Sequence, residues 1–557
     1  MLASTVLPDP KIRKLRGAKS AIFWFTFRHS IIGGVLFGLF AMVESYAQGR
    51  GIIAAFPNVS QRASLIHGLA NNAALSLFYG DKTANIVSPS GYMVYRIMPI
   101  LALVAAIWAM TITTKVLRGQ EENGRWELLL SGPYSSSQAT LKSILGIVAT
   151  LGSSFLVFGL VLALLSSEGV FRLSLGGSFY FALSVISGSL IGLGIGAITS
   201  QLAPTRRNAT LYAVTPIIVL FIIRSIANTI SGLTWLKNIT PFGWIDKLRP
   251  FYHAQPIWLL VLALFGLICI TSAILLSAKR DLNQSFISDK DSAKPKFGLL
   301  GSQVGFNFRL LRNVLFGWMF GGVAFATLIA SIDKTVARTL SGGGSGKGRL
   351  IKTFSDLTGN PDSRIEVAYL SAAGFFIVTL LLIMVANYLV TLKEEETSGR
   401  LDNLISGKLS RGHWLYARLG LVIGAAFLII FTSNIVIWAL ASAQGINVSF
   451  LTLSFGGLNI LGPLLMLLGL GVLAYGLAPK FLSIIMYSVI AWSFTIDIIS
   501  SALKLGKGFS STSLLHYVSL VPAANPNWRT FSIIGLLGLS GILLGAIAFD
   551  RRDLQAE

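Results

Sequence analysis

Runs of about 18 to 26 residues dominated by Leu, Ile, Val, Ala and Gly recur along the chain, and each matches the ~20 residues a helix needs to cross ~30 Å of hydrocarbon. The amphipathic helices of a soluble domain alternate polar and apolar faces instead. Composition agrees: 53% of the 557 residues are hydrophobic and 12% charged, with a mean hydropathy of +0.71. The pattern predicts an all-α polytopic membrane protein with about twelve spans, the first near 30 to 47 and the last near 530 to 549.

An even number of spans places both termini on one side. The short connections on that side carry Lys11, Arg13, Lys14, Arg16 and Lys19, then Arg206 and Arg207, Lys279 and Arg280, Lys480, and Arg551 and Arg552, so the positive-inside rule makes it cytoplasmic. The net charge of +22 then reads as attraction to anionic headgroups of the lipid bilayer. Nucleic acid is not an expected partner, because the basic residues are scattered and no soluble domain gathers them. The single cysteine, Cys269, lies inside an apolar run, which leaves no intramolecular disulfide. The basic, polar start shows no cleavable leader.

The chain is written twice. Gly124, Arg125, Glu127, Leu129, Ser131, Gly132 and Ser135 recur as Gly399, Arg400, Asp402, Leu404, Ser406, Gly407 and Ser410, each pair 275 positions apart. The same offset carries Leu202, Ala203 and Pro204 onto Leu477, Ala478 and Pro479, and Gly194 and Gly196 onto Gly469 and Gly471. KRDL at 279–282 returns as RRDL at 551–554 with the register slipped by three. The expected organisation is a basic N-terminus and elbow-like helix over 1–28, a six-helix half over 29–282, a linker and second elbow-like segment over 283–312, and a second six-helix half over 313–557. Six spans per copy give both halves one orientation, hence a pseudo-twofold axis along the membrane normal with a path between the halves.

The repeated segment EENGRWELLLSGPYSS, 121–136, falls between spans 2 and 3, and its copy KEEETSGRLDNLISGKLSR, 393–411, between spans 8 and 9. Glu121 and Glu122, or Glu395 and Glu396, precede the glycine, where a helix N-terminus favours negative charge. An apolar patch follows, from Trp126, Leu129 and Leu130 or from Leu401, Leu404 and Ile405, ended by Gly132 and Pro133 or by Gly407. Each copy reads as a short amphipathic helix, either lying against headgroups or docking a cytoplasmic partner; two copies on one face favour docking.

This pattern of acids, Gly-Arg, a further acid and a Leu-rich patch resembles the coupling segment of ABC-2-type exporter permeases, and in particular the internally duplicated branch that includes tetronasin and polyketide antibiotic exporter membrane subunits. ITPFGWIDKLRPF, 239–251, is similar to that branch's segment before its sixth span, and Trp414 also fits. The copies differ from each other at Asn403 for Leu128, and the second lacks a counterpart of Pro133. The resemblance implies an ATP-driven exporter in the bacterial cell membrane. Two copies of a separate ABC ATPase, holding ATP and Mg, would dock on the two segments, and this chain would hold no cofactor and would not itself be an enzyme. The coupling residues are then Glu121, Glu122, Gly124, Arg125, Trp126 and Glu127, with Glu395, Glu396, Gly399, Arg400 and Asp402 in the second copy.

LSGGGSGKG, 340–348, imitates a phosphate-binding loop but has Ser341 where the first Gly is required and Gly348 where magnesium needs Ser or Thr; it reads as a flexible Gly/Ser connection. The five histidines show no metal spacing, and no GxSxG nucleophile motif occurs. Ionisable residues inside spans are costly and therefore informative: Glu44, Arg224 and Asp497 lie in outer parts of spans 1, 5 and 11. They mark a translocation pathway or snorkel separately to the outer interface; in the first case Arg224 and Asp497 face each other across it. Major facilitator transporters, driven by an ion gradient, also have twelve spans in two parallel halves and a Gly-Arg motif after spans 2 and 8. Theirs is basic and led by glycine, whereas this one is led by acids. A receptor or scaffold is the third class. The residues expected to face the cavity are mostly apolar, so the expected cargo of such an exporter is a small amphipathic or hydrophobic compound.

Overall fold

Among the described residues, twelve helices are long and apolar enough to cross a membrane: span 1 Ala21–Ala54, span 2 Pro89–Glu122, span 3 Ser136–Leu165, span 4 Leu175–Leu202, span 5 Arg206–Thr229, span 6 Ile257–Ala278, span 7 Gln303–Ser331, span 8 Glu366–Thr397, span 9 Arg411–Ala443, span 10 Phe450–Leu477, span 11 Pro479–Asp497 and span 12 Trp528–Arg551. The computed structural model describes residues 20–60, 62–63, 79–80, 85–132, 134–166, 171–282, 284–287, 298–299, 301–341, 365–397, 399, 401–402, 410–503 and 507–553, and no strand occurs among them. The Gly/Ser stretch 342–348 lies outside the described residues, as do the basic residues 1–19. From Ala21 the aromatic part of the expected elbow is the opening of span 1, in one unbroken helix, because no helix-breaking residue separates the two.

The chain divides into two units, Met1–Ala293 and Lys294–Glu557, with spans 1–6 in the first and 7–12 in the second. Each unit has its own apolar core. Large apolar side chains also point outward, among them Ile32, Leu36, Leu260, Ile484 and Leu536. Such faces would be untenable in water over so large an area and are at home in lipid.

Small residues set how the fourth helix of each unit packs. A Cβ on Gly194 would collide with Cys269 of span 6, and one on Gly196 would press on Met110 of span 2. The repeat-related glycines make the corresponding approaches: Gly469 meets Gly538 of span 12, and Gly471 meets Leu389 of span 8. Bilayer helices gain their association from this kind of backbone proximity, since lipid tails are as apolar as leucine.

At one end of each unit the chain before the last span folds back as short helices rather than crossing. In the first unit these are Ser231–Asn238 and Pro241–Asp246; in the second, Lys507–Ser510 and Leu515–Tyr517. The repeated Gly-Arg segments lie at the other end.

Candidate functional site: two glycine turns held by buried ion pairs

Span 2 ends in a π-helical turn, Lys115–Gly119, and a last α turn, Gln120–Glu122, before the chain reverses at Gly124 and enters a six-residue helix, Arg125–Leu130. Gly124 has φ +71°, and Gly399 of the second unit repeats it at φ +68°. No neighbour would obstruct a Cβ at either position, so glycine is required by the left-handed backbone alone.

The acids before the turn do not lie at a helix N-terminus, as the sequence suggested. They close the C-terminal end of span 2, where the helix dipole repels negative charge, so arginines must hold them there. Glu121 is 3% exposed. Its carboxylate accepts from both terminal nitrogens of Arg280, at 2.8 Å (Nη1) and 2.7 Å (Nη2), and lies 3.2 Å from Arg118 Nη1. Arg118 also donates Nε and Nη2 to the carbonyl of Pro204, at 3.1 and 2.6 Å, and Arg280 donates to Gln201 at 3.2 Å. The turn after span 2 is thereby fastened to the ends of spans 4 and 6. Exposed Glu122 accepts from the backbone N–H of Arg206 at 3.0 Å, capping span 5 as an anion should. Trp126 is buried and donates to the carbonyl of Val116 at 3.4 Å. Arg125, Glu127 and Leu128 face outward, Leu128 with 78% of its surface exposed.

In the second unit Glu396, 4% exposed, accepts from Arg552 at 2.8 Å, and the Arg552 guanidinium stacks over Tyr475 and Phe549, 5.4 and 5.6 Å from their ring centres. Glu395 pairs separately with Arg418 at 2.7 Å, a wholly buried arginine that lies 5.0 Å over the Trp414 ring. Asp402 is exposed, Leu401 is buried, and Arg400 lies outside the described residues.

Glu121 and Glu396 are related by the 275-residue offset, and Arg280 and Arg552 are the same letter of KRDL and RRDL. Two separately repeated motifs thus meet in space once in each unit. The sequence marked the basic motif as a repeat; pairing it with the glutamate needed the fold, because 159 residues separate Arg280 from Glu121. Arg118 and Arg418 carried no signal of their own.

The membrane-embedded charges are disposed differently. Arg224 is wholly buried and grips Asp246 with two bonds of 2.7 Å, a bidentate geometry; it also donates to the carbonyl of Tyr79 at 2.8 Å. Asn228 supports the same carboxylate at 3.3 Å. Asp497 accepts from the Ser513 hydroxyl at 2.6 Å. Arg224 and Asp497 each have a partner within their own unit. The folded-back segment supplies both partners, and residues 239–251 are where Asp246 could have been sought. Glu44 is half-buried with no ion-pair partner among the described residues. No group of His, Cys, Asp and Glu among the described residues could hold a metal ion.

Two units of six spans, each with a glycine turn pinned to its last span by a glutamate–arginine pair, define a multi-pass protein of the bilayer. The family described as "Multidrug efflux system permease Rv1217c, C-terminal domain" matches residues 62–275 and 300–550, and the chain belongs to that family. A relative from Mycobacterium tuberculosis (strain ATCC 25618 / H37Rv), "Multidrug efflux system permease protein Rv1217c", is 26% identical over 516 residues, which cover 90% of this chain and 88% of the relative.

Proposed function

We propose that this chain is the membrane permease subunit of an ATP-driven exporter of the ABC-2 type, akin to the branch that includes tetronasin and polyketide exporters. It would move amphipathic or hydrophobic drug-like compounds out of a bacterial cell. Two copies of a separate ATPase dock on the two glycine turns, one per unit, and bring the ATP and Mg; both termini lie on that cytoplasmic side. The observation that carries the reading is the repeated turn itself, an exposed rim over a buried ion pair. Leu128, Arg125 and Glu127 offer contact surface on the first turn and Asp402 on the second, while Glu121 and Glu396 face inward and couple each turn to its own last span through Arg280 and Arg552. The Glu121–Arg280 link is bidentate and would pass a displacement on with little slack; Glu396–Arg552 makes the same connection through one bond. Membership in a multidrug efflux permease family supports the cargo class.

The mass of the intact particle purified from its native membrane tests the reading. One copy of this chain with two ATPase copies is expected. A particle holding this chain alone, exporting compounds at full rate on a proton gradient, would replace it with the facilitator reading.

A further inference from the structure

The opening of span 1 presents a face that the transport reading does not use. Ala21, Trp24, Phe25, Arg28 and His29 line one shallow groove, as their spacing of three and four places them on one helical stripe. Trp24 and Phe25 are exposed, and the Phe25 and His29 rings lie parallel, 6.1 Å apart. Lys115, from the π turn of span 2, and Arg125, from the helix after Gly124, both lie near enough to act on the charge of His29. Arg28, Lys115 and Arg125 thus bring three cations from three elements to the neighbourhood of His29. All three are exposed, and none has an ion-pair or side-chain hydrogen-bond partner among the described residues, whereas nearby Arg118 and Arg280 are both paired.

Higher on span 1 the same stripe continues as Ile32, Leu36, Phe40 and Val43, all exposed. Positive charge at the end of a span, aromatic rings beside it and an apolar track leading away match a phospholipid part by part: phosphate, glycerol region and acyl chain. A free anion would have no use for the track. We propose that this groove is a binding site for an anionic phospholipid, its phosphate held by Arg28, Lys115 and Arg125 beside His29 and one acyl chain laid along Ile32, Leu36, Phe40 and Val43. Because Arg125 belongs to the turn helix, the headgroup would reach the same element as the docking surface. The site itself stands whether or not an ATPase docks there.

The intact protein, or its complex, is exchanged into nanodiscs of equal phosphatidylglycerol and phosphatidylcholine, and retained lipid is counted by native mass spectrometry. The wild type should keep phosphatidylglycerol selectively. Arg28→Gln with Lys115→Gln should lower that retention about tenfold, and Arg28→Lys with Lys115→Arg should keep it. Equal retention of the two lipids by the wild type, or unchanged selectivity in the glutamine variant, overturns the proposal. Inorganic phosphate that displaces the lipid as well as phosphatidylglycerol vesicles do would make this a free-anion site and also overturn it. Should the glutamine variant fail to fold, a photoactivatable phosphatidylglycerol added to the wild type decides: labelling at residues 21–43 supports the site, and labelling only elsewhere refutes it.

Discussion

The two ends of span 5 differ in how the first unit compares with the second. At the Arg206 end both units use the same parts: a left-handed glycine, a buried glutamate before it and the arginine of a repeated tetrapeptide. At the Thr229 end they diverge. The first unit closes its folded-back segment with the buried Arg224–Asp246 ion pair and a bond from Tyr180 to the carbonyl of Leu248. The second uses neutral groups and one carboxylate: Asn459 accepts from the Ser519 N–H, Ser371 from the Ala523 N–H, and Asp497 from Ser513. Like machinery at one end is what the proposed pair of identical partners would require, whereas the other end has solved a local closure problem by two chemistries.

The largest expected effect lies where the units differ. Arg224→Met strands Asp246 in a dry setting and should cost on the order of 3–5 kcal/mol, seen as loss of folded protein or a large fall in Tm in detergent. Arg224→Met with Asp246→Leu should recover most of it. Asp497→Asn keeps an oxygen for Ser513 and should cost about 1 kcal/mol or less. Equal losses at Arg224 and Asp497 would erase the contrast.

Next come the pinned glutamates. Glu121→Gln leaves two buried arginines short of charge, and Glu396→Gln leaves one, so the first should lose more, on the order of 3 kcal/mol against about 2. In the intact transporter both should lower transport per ATP hydrolysed more than ATPase docking itself. An unchanged ratio in both would reduce the ion pairs to simple staples.

Smaller and equal effects are expected at the turns. Gly124→Ala and Gly399→Ala should each cost about 1–2 kcal/mol through the backbone alone, with Asn better tolerated than Ala at either position. Thermal unfolding of the four variants checks this, and a much larger loss in one unit would reveal a contact specific to it.

The least effect concerns pH. Burial holds the Tyr79 phenol above its ordinary value. The folded state thus keeps a proton that the unfolded chain gives up above pH ~10, and stability should fall as pH rises past that point. Tyr79→Phe should flatten this alkaline slope in a pH series of melting curves.

What the sequence determined by itself is what depends on residues near one another along the chain. Twelve spans follow from the length and hydropathy of each run, and Gly124 and Gly399 stand at turns because a breaker between an acidic helix end and an apolar stretch has few other uses. The repeat was legible because both copies carry the same letters. The family resemblance, likewise, rested on short contiguous motifs. Tertiary structure decided the partners. Periodicity tells which face a residue takes but not which helix meets that face, so Glu121 read as a docking charge until packing brought Arg280 against it. For Arg224 the sequence offered Asp497, at a related place in the repeat. The fold supplies Asp246, because a buried guanidinium needs a carboxylate within bonding distance and the short helices that follow its own span bring one there.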